Sequence, residues 1–344
     1  MKKIWINSLI VVAMGVVIIV LIFFTDGIGQ LVNMIKNINY LWLMVAFSFV
    51  FIYWTFGAFT LATLKSGILG KKDNIGHTFK TVMIGQFFAA ITPFSTGGQP
   101  AQVYFMSKKS VDAGKATSIV ILKSVLFSTS MLLVSLVFFF LKKQVLISQI
   151  PNFVVLFIIG SVSNLLLIII YFLFLLNRDV SEKAVILFLK LVSYFRKKEQ
   201  RNVLHQFERI KGSLESFREG FLTISKKKSH LLLAYLFQLC QHIAIFSVPV
   251  FLIRAIEGSF FSPLSVIAAT GLLMMITSLV PTPGTTGGAE GLGVYFFGGF
   301  FPNSPILSVI LIWRLITYYS AILIGGVFTL ISHGKTLGDI DSEN

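Results

Sequence analysis

Long apolar runs alternate with short polar or basic stretches along this chain of 344 residues. Several runs are long enough to cross a bilayer as helices, which rise about 1.5 Å per residue. Their approximate bounds are 8–24, 40–64, 116–141, 151–176, 230–253 and 305–332. The pattern predicts an all-α polytopic membrane protein with about six full spans.

Two further apolar segments are interrupted by glycine- and threonine-rich breaks, which leave each piece too short to cross a bilayer alone. The first segment, 78–107, contains Thr92-Pro-Phe-Ser-Thr-Gly-Gly-Gln99, and the second, 261–303, contains Thr282-Pro-Gly-Thr-Thr-Gly-Gly-Ala-Glu290. Proline ends a helix, glycine pairs permit left-handed backbone, and threonine hydroxyls can satisfy the freed backbone groups. Each segment is therefore predicted to form a re-entrant hairpin of two half helices.

The two breaks align without a gap, and each is followed at nearly the same distance by a basic residue inside a full span. Lys123 lies 27 residues after Thr96, and Arg314 lies 28 residues after Thr286. Lysines flank both ends of the first hairpin, so it is predicted to enter from the cytoplasm, whereas the order of the spans makes the second hairpin enter from outside. Opposite entry is the geometry of an inverted-topology repeat.

Composition and charge agree with a membrane protein. Hydrophobic residues make up 55% of the chain and charged residues 12%, and the mean hydropathy is +0.85. The net charge of +15 does not indicate nucleic-acid binding, because the basic residues lie between the apolar runs as positive-inside determinants. The sequence predicts a multi-pass protein of the plasma membrane, with both termini in the cytoplasm and no nucleic-acid partner.

The most basic stretch is 178–229, with 13 Lys or Arg against 6 Asp or Glu, and it is predicted to be cytoplasmic. Part of it has an apolar residue every three or four positions, as in an amphipathic helix. The residues of this stripe are Val203, Phe207, Ile210, Leu214, Phe217 and Phe221. Such a helix could lie on the inner leaflet, pack under the bundle, or bind a partner. We assign 1–335 to a single transmembrane domain and 336–344 to a flexible tail.

The basic residues that follow the breaks indicate an anion site. A charge near the middle of a bilayer is unfavourable by about 2.5–3.5 kcal/mol, so it normally faces a cavity or a partner. Each half helix that restarts after a break also directs free N–H groups into the membrane, which suits a phosphate. The candidate lipid-binding residues are Thr92, Ser95, Thr96, Gly97, Gly98, Gln99, Lys123, Gln238, His242, Thr282, Thr285, Thr286, Gly287, Gly288, Glu290 and Arg314.

The pattern leaves alternatives open for several of these residues. The glycine pairs could serve only close helix packing, and Lys123 or Arg314 could extend to the membrane interface instead of facing a cavity. Glu290 could compensate the dipole of its half helix, pair with Arg314, or carry a proton. Gln238 and His242 belong to a polar cluster in one span, and they could form interhelical hydrogen bonds rather than contact a substrate.

Constellations typical of enzymes are missing from the sequence. The five histidines have no metal-ligand spacing, and the single cysteine, Cys240, has no basic partner at a recognisable interval. The glycine-rich breaks lack the Gly-Lys-Ser/Thr ending of a phosphate-binding loop. The sequence therefore predicts no catalytic residue, no metal site and no cofactor.

The break motifs resemble those of the flippase-like membrane family that includes the transmembrane region of lysylphosphatidylglycerol synthases, the multiple peptide resistance factors. The resemblance rests on Thr92-Pro-Phe-Ser-Thr-Gly-Gly-Gln-Pro-Ala-Gln102 and Pro281-Thr-Pro-Gly-Thr-Thr-Gly-Gly-Ala-Glu290, and it extends to about Ser332. Full-length synthases continue into a soluble domain that transfers an amino acid from tRNA to phosphatidylglycerol. The chain ends at Asn344, so we expect that domain to be absent. The resemblance implies lipid translocation or headgroup handling.

The residues and the resemblance together predict a transporter that moves an anionic or aminoacylated phospholipid, or a polyprenyl-phosphate-type lipid, between leaflets. One alternative is a membrane component of lysylphosphatidylglycerol synthesis and cationic-peptide resistance that acts with a separately encoded transferase. Another is a small-anion secondary transporter. The family would suggest a phosphatidylglycerol lysyltransferase, but we do not expect this chain to be an enzyme by itself. A homo-oligomer is compatible with the pattern.

Overall fold

The computed structural model describes residues 28–109, 111–177, 179–183, 186–187, 201–257, 262–301 and 304–341. The first predicted span, at about 8–24, lies outside these residues. Every regular element within them is a helix, which confirms the all-α prediction for this part of the chain.

Twelve α-helices have their full bounds within the described residues. In order they are α1 (Ile28–Asn37), α2 (Tyr40–Leu69), α3 (Ile75–Ala90), α4 (Gly98–Ser107), α5 (Ala113–Gln149), α6 (Phe153–Leu176), α7 (Arg201–Ser225), α8 (Lys228–Ile256), α9 (Pro263–Thr277), α10 (Gly288–Phe297), α11 (Ile306–Arg314) and α12 (Ser320–Asp341). A short 3-10 helix (Gly298–Phe300) follows α10. A π-helical turn (Leu315–Tyr319) joins α11 to α12, so these two form one continuous helix.

Five helices in the described residues are long and apolar enough to cross a membrane. Their bounds are Tyr40–Leu69, Ala113–Ser148, Phe153–Leu176, Lys228–Ile256 and Ile306–Ser332. They coincide with the second to sixth runs that the sequence predicts as spans. The total of six spans stays a prediction, because the first run is not among the described residues.

Side-chain caps explain where several of these helices begin. Asn39 accepts hydrogen bonds from the backbone N–H groups of Leu41 and Trp42 at the start of α2, at 3.1 and 3.4 Å. Asn74 and Asp112 cap α3 and α5 in the same way. Such caps satisfy N–H groups that have no partner within the helix. At these three helices the polar residue before the apolar run therefore fixes the start of the helix.

Both predicted hairpins consist of two short helices that pack against each other. Helices α3 and α4 contain 16 and 10 residues, and α9 and α10 contain 15 and 10. Even the longest would extend only about 24 Å, which is less than the hydrocarbon thickness of about 30 Å. None of the four can therefore cross a bilayer by itself.

Helix α8 lies in the middle of the bundle. Its most apolar stretch is 61% buried, against 28% for α2 and α6, and its longest contact runs along α2. Gly57 of α2 makes this contact close, because a Cβ atom there would lie 2.9 Å from Nε2 of Gln241 on α8. Small residues commonly allow such close approach between membrane helices.

The basic helix α7 packs against the beginning of α5. A Cβ atom on Gly114 would lie 2.0 Å from the carbonyl oxygen of Ser213, so this glycine allows α7 to approach. Phe217 is buried in the contact, and Lys115 and Glu219 form an ion pair at 3.3 Å. These contacts favour packing under the bundle, while the cytoplasmic position of 178–229 stays a prediction.

The last helix continues beyond the predicted end of the transmembrane domain. The backbone of α12 is helical to Asp341, so residues 336–341 extend the helix where the sequence predicts a flexible tail. The division into a domain at 1–335 and a tail at 336–344 stays a prediction.

Candidate functional site

The two breaks lie against each other. Pro93 of the first break and Pro283 of the second form an antiparallel backbone bridge. These prolines occupy the same position in the two aligned motifs, and antiparallel pairing of equivalent residues is what a two-fold relation between repeats produces. The two aligned motifs are therefore in direct contact.

Threonine hydroxyls stabilise both breaks through local backbone hydrogen bonds. In the first break, Thr92 donates to the carbonyl of Phe88 at 2.7 Å and accepts the N–H of Gly97 at 2.8 Å. Thr96 donates to the carbonyl of Pro93 at 2.9 Å. These bonds replace helical ones that the break removes.

The second break repeats one of these bonds at an equivalent position. Thr286 donates to the carbonyl of Pro283, as Thr96 does to Pro93 in the first copy. Thr282 donates to the carbonyl of Thr286 at 2.6 Å, and Thr285 donates to that of Gly284 at 2.7 Å. The matched threonine–proline bonds agree with the gap-free alignment of the two motifs.

The glycine pairs have different roles in the two breaks. The left-handed residues of the first break are Phe94 and Ser95, with φ of 52° and 56°, so the prediction of a left-handed glycine pair is wrong there. Gly98 instead allows close packing, because a Cβ atom on it would lie 2.8 Å from the carbonyl oxygen of Gly85. In the second break, position 287 requires glycine, because its φ of 85° lies in the left-handed region.

Arg314 is buried beside the second break and forms an ion pair with Glu290. Its Nε lies 2.8 Å from Oε1 of Glu290, and the side chains are only 6% and 9% exposed. A terminal guanidinium nitrogen also donates to the carbonyl of Gly284 at 3.2 Å. Within the described residues Nε and Oε1 have no aligned hydrogen bond, so their contact is mainly ionic. The two opposite charges balance each other away from water.

Glu290 also caps the half helix α10. Its Oε2 accepts the backbone N–H of Gly287 at 2.6 Å, in the first turn of the helix. A carboxylate is favourable at a helix N-terminus, where free N–H groups and the helix dipole are positive. Two of the alternatives for Glu290, dipole compensation and pairing with Arg314, therefore hold at the same time.

Tyr318 connects the second repeat to the first hairpin. Its hydroxyl donates to the carbonyl of Ala90, the last residue of α3, at 2.9 Å. The guanidinium of Arg314 lies over its ring at 3.8 Å. Arg314 immediately precedes the π-helical turn, and Tyr318 lies within it. Such turns are frequent at functional sites. In the sequence, only the spacing of four residues from Arg314 points to Tyr318.

Tyr318→Phe is expected to lower the free energy of unfolding by about 0.5–1.5 kcal/mol, because the Ala90 carbonyl loses its hydrogen bond. Tyr319→Phe is the matched control, since the buried hydroxyl of Tyr319 has no hydrogen-bond partner among the described residues. The Tyr319→Phe variant should unfold at the same temperature as the unmodified protein or at a slightly higher one. Thermal unfolding in detergent, followed by tryptophan fluorescence, measures both. If the two variants lost the same free energy of unfolding, the hydrogen bond from Tyr318 to Ala90 would not link the repeats.

Lys123 does not share the environment of Arg314. It is half-buried on α5, and in the described part of the chain it makes neither a hydrogen bond nor an ion pair. Its neighbour Ser124 accepts a hydrogen bond from Gln99 of the first break at 2.8 Å, and Tyr171 of α6 lies 3.3 Å from the same amide nitrogen. The two cations therefore differ: Arg314 is neutralised by Glu290, whereas no described residue neutralises Lys123.

The polar cluster of α8 forms hydrogen bonds within its helix and to α5. Gln238 donates to Gln241 at 2.6 Å, and Nδ1 of His242 lies 2.9 Å from the hydroxyl of Ser130 on α5. The His242 ring packs against Phe127, with the ring centres 4.5 Å apart. Among the described residues, none of the cluster's hydrogen bonds reaches a break. These contacts favour interhelical hydrogen bonding over substrate contact.

The breaks differ in exposure. Residues 93–96 of the first break are exposed, whereas Pro283, Gly284, Thr286 and Glu290 of the second are buried. Among the described residues, no group of three or more His, Cys, Asp or Glu side chains is close enough to hold a metal ion. The site thus consists of one open break, one closed break and a buried ion pair.

These features define a multi-pass α-helical membrane protein with two helix breaks in contact. Residues 6–325 match the family described as "Lysylphosphatidylglycerol synthase TM region", and the chain belongs to this family. A UPF0104 membrane protein of Archaeoglobus fulgidus is 30% identical over 301 residues, which cover 86% of this chain and 88% of that protein. No solved structure matches the chain. The resemblance carried by the break motifs is therefore confirmed.

Proposed function

We propose that the protein moves a lipid with a phosphate-bearing headgroup between the two leaflets of the plasma membrane. Suitable lipids are anionic or aminoacylated phospholipids and polyprenyl-phosphate-type carriers. The observation that supports this proposal is the contact of two helix breaks beside the buried Arg314. Irregular backbone at membrane depth is tolerated where it is buried in protein or lines a cavity, and paired breaks are typical of transporter binding sites.

The proposed topology has six spans and two re-entrant hairpins, with both termini in the cytoplasm. The hairpin helices are too short to cross, and their breaks meet at equivalent prolines. Hairpins that enter from opposite faces bring their tips together near the bilayer midplane, which explains such a contact. Cysteine labelling of single-cysteine variants from each side of intact cells tests the orientation.

The headgroup is recognised by cations and by helix N-termini. Arg314 can present several N–H donors to phosphate oxygens, and Lys123 adds a positive charge that the described residues leave unneutralised. The N-terminus of α4 follows the exposed residues 93–96. Gly98 donates to the carbonyl of Ser95 and Pro100 has no N–H, which leaves the N–H of Gln99 in this turn for an entering headgroup. Gln99 and the threonines of both breaks position these groups.

Reconstitution into phosphatidylcholine vesicles tests the proposal directly. Acyl-labelled fluorescent phosphatidylglycerol should exchange between leaflets faster than in protein-free vesicles, as measured by the fraction that external dithionite bleaches. Labelled phosphatidylcholine, whose headgroup has a phosphate but no net negative charge, is the comparison lipid. Slower exchange would favour anionic lipids, and equal exchange would favour recognition of the phosphate whatever the net charge of the headgroup. Exchange at the protein-free rate would refute lipid translocation. Uptake of inorganic phosphate without lipid exchange would indicate a small-anion transporter instead.

A second candidate is a membrane component of lipid-headgroup modification. The description of the matched family names a synthase, and this favours a role with a separately encoded transferase. In that case the protein should copurify with the transferase, and its deletion should remove the headgroup-modified lipid from the membrane. Loss of modified lipid from the outer leaflet alone would favour translocation.

A further inference from the structure

We infer that Glu290 and the headgroup phosphate compete for Arg314, and that Glu290 takes up one proton for each phosphate that replaces it. The inference rests on the proposed lipid translocation and adds its coupling ion. A proton and a lipid headgroup then cross in the same direction.

In the described part of the chain, the guanidinium of Arg314 is already engaged on several sides. Glu290 holds Nε at 2.8 Å, the carbonyl of Gly284 accepts from a terminal nitrogen at 3.2 Å, and the ring of Tyr318 lies 3.8 Å away. A phosphate binds the same planar array of N–H donors that a carboxylate binds. It can therefore reach the Nε side of Arg314 only after Glu290 leaves.

The charge of the site determines what must happen to Glu290. At the second break, Arg314 and an ionised Glu290 are neutral together, and a phosphate monoanion that binds Arg314 would leave one negative charge in excess there. Lys123 does not change this balance, because it lies on α5 next to Ser124, which bonds Gln99 of the first break. Uncompensated charge is costly in a buried site of low dielectric constant. If Glu290 takes up a proton as it leaves Arg314, the loaded site is neutral again.

Glu290 is the group best placed to accept this proton. Arg314 forms the ion pair with Glu290, Tyr318 and Tyr319 lie in the π-helical turn that follows Arg314, and the helix of Glu290 also carries Tyr295. Helix α9 and the 3-10 helix, which pack against α10, contain no titratable residue, and α11 contains only Arg314. Glu290 is thus the one carboxyl group on these elements.

The exchange balances in protons and charge. On the loading side the Glu290 carboxylate binds a proton from water, and the guanidinium donates to phosphate oxygens instead. Oε2 keeps its hydrogen bond from the N–H of Gly287, which is 2.6 Å long in the structure. The protonated Oε1 can donate to the phosphate. On the release side the phosphate leaves, the proton returns to water and the carboxylate pairs with Arg314. One proton and one negative charge cross together, so transport is electroneutral.

Electroneutral coupling is tested with a trace of acyl-labelled phosphatidylglycerol in phosphatidylcholine proteoliposomes. A difference of one pH unit should shift the steady-state ratio of label between leaflets about tenfold, towards the leaflet that faces the higher pH. A potassium diffusion potential set with valinomycin should not shift the ratio. Proton uptake should also appear with a trapped pH dye when the labelled lipid is added outside.

Glu290→Gln separates the proton from the lipid, because the amide can still accept the Gly287 N–H but cannot take up a proton. Its label distribution should follow the potential and ignore the pH difference. Glu219→Gln, in an exposed ion pair with Lys115, should behave like the unmodified protein.

Two results distinguish the inference from the proposed function. If the unmodified protein moves the label but its distribution follows the potential and not the pH difference, proton coupling is wrong and translocation stands. If the label exchanges at the protein-free rate, the proposal of lipid translocation is wrong. The proton coupling, which rests on it, is then wrong as well. Should Glu290→Gln fail to fold, the comparison of pH and potential in the unmodified protein decides.

Discussion

Glu290→Ala is expected to lower the free energy of unfolding by about 3–5 kcal/mol, because it leaves a buried charge without its partner. Arg314 is 5% exposed, and a guanidinium does not lose its proton in a protein. The substitution also removes the acceptor of the Gly287 N–H at the start of α10. Titration with SDS in mixed micelles measures the loss.

Arg314→Ala should cost less stability than Glu290→Ala, because the remaining carboxyl group can take up a proton and become neutral. It should nevertheless abolish lipid exchange in proteoliposomes, since the cation that binds the headgroup is gone. The double variant removes both charges and should be more stable than Glu290→Ala, which a double-mutant cycle reports as coupling.

Glu219→Ala is the control for these variants, because Glu219 forms an ion pair that is exposed to solvent. Its loss should stay below about 1 kcal/mol. Equal losses for Glu219→Ala and Glu290→Ala, or additive effects in the double-mutant cycle, would show that Glu290 and Arg314 do not stabilise each other.

The helical architecture could be predicted from the sequence because a lipid bilayer permits few backbone structures. Apolar length fixes a crossing helix, and the five spanning helices agree with the predicted runs to within a few residues at most of their ends. Proline and glycine in an apolar run likewise mark a break, and both breaks separate two helices as predicted. These are local effects that need no knowledge of the neighbours.

The contacts of the site depend on neighbours, and they could be predicted only in part. The pairing of Glu290 with Arg314 was one of several alternatives, because charge alone does not show which groups meet. In the first break, Phe94 and Ser95 adopt the left-handed conformation, and the glycines do not. The glycines are needed there for close packing against α3. The π-helical turn has no pattern in the sequence, so the contact of Tyr318 with Ala90 could not be predicted.

Gly284→Ala should disturb the site as strongly as loss of a charge. Gly284 has a φ of 57°, and a left-handed conformation costs an L-residue roughly 1–2 kcal/mol. A Cβ atom there would also lie 2.2 Å from the hydroxyl of Tyr318, so the ring must move. Moving it breaks the bond to Ala90 and removes the ring from Arg314. We expect a loss of about 2–4 kcal/mol and severely reduced lipid exchange.

Gly291→Ala is the matched control on the adjoining half helix. A Cβ atom on Gly291 would meet nothing within 4 Å, and alanine favours a helix over glycine by about 0.5–1 kcal/mol. This variant should unfold no earlier than the unmodified protein and should exchange lipid at the same rate. If Gly284→Ala behaved like Gly291→Ala, the tight contact between Gly284 and Tyr318 would not exist.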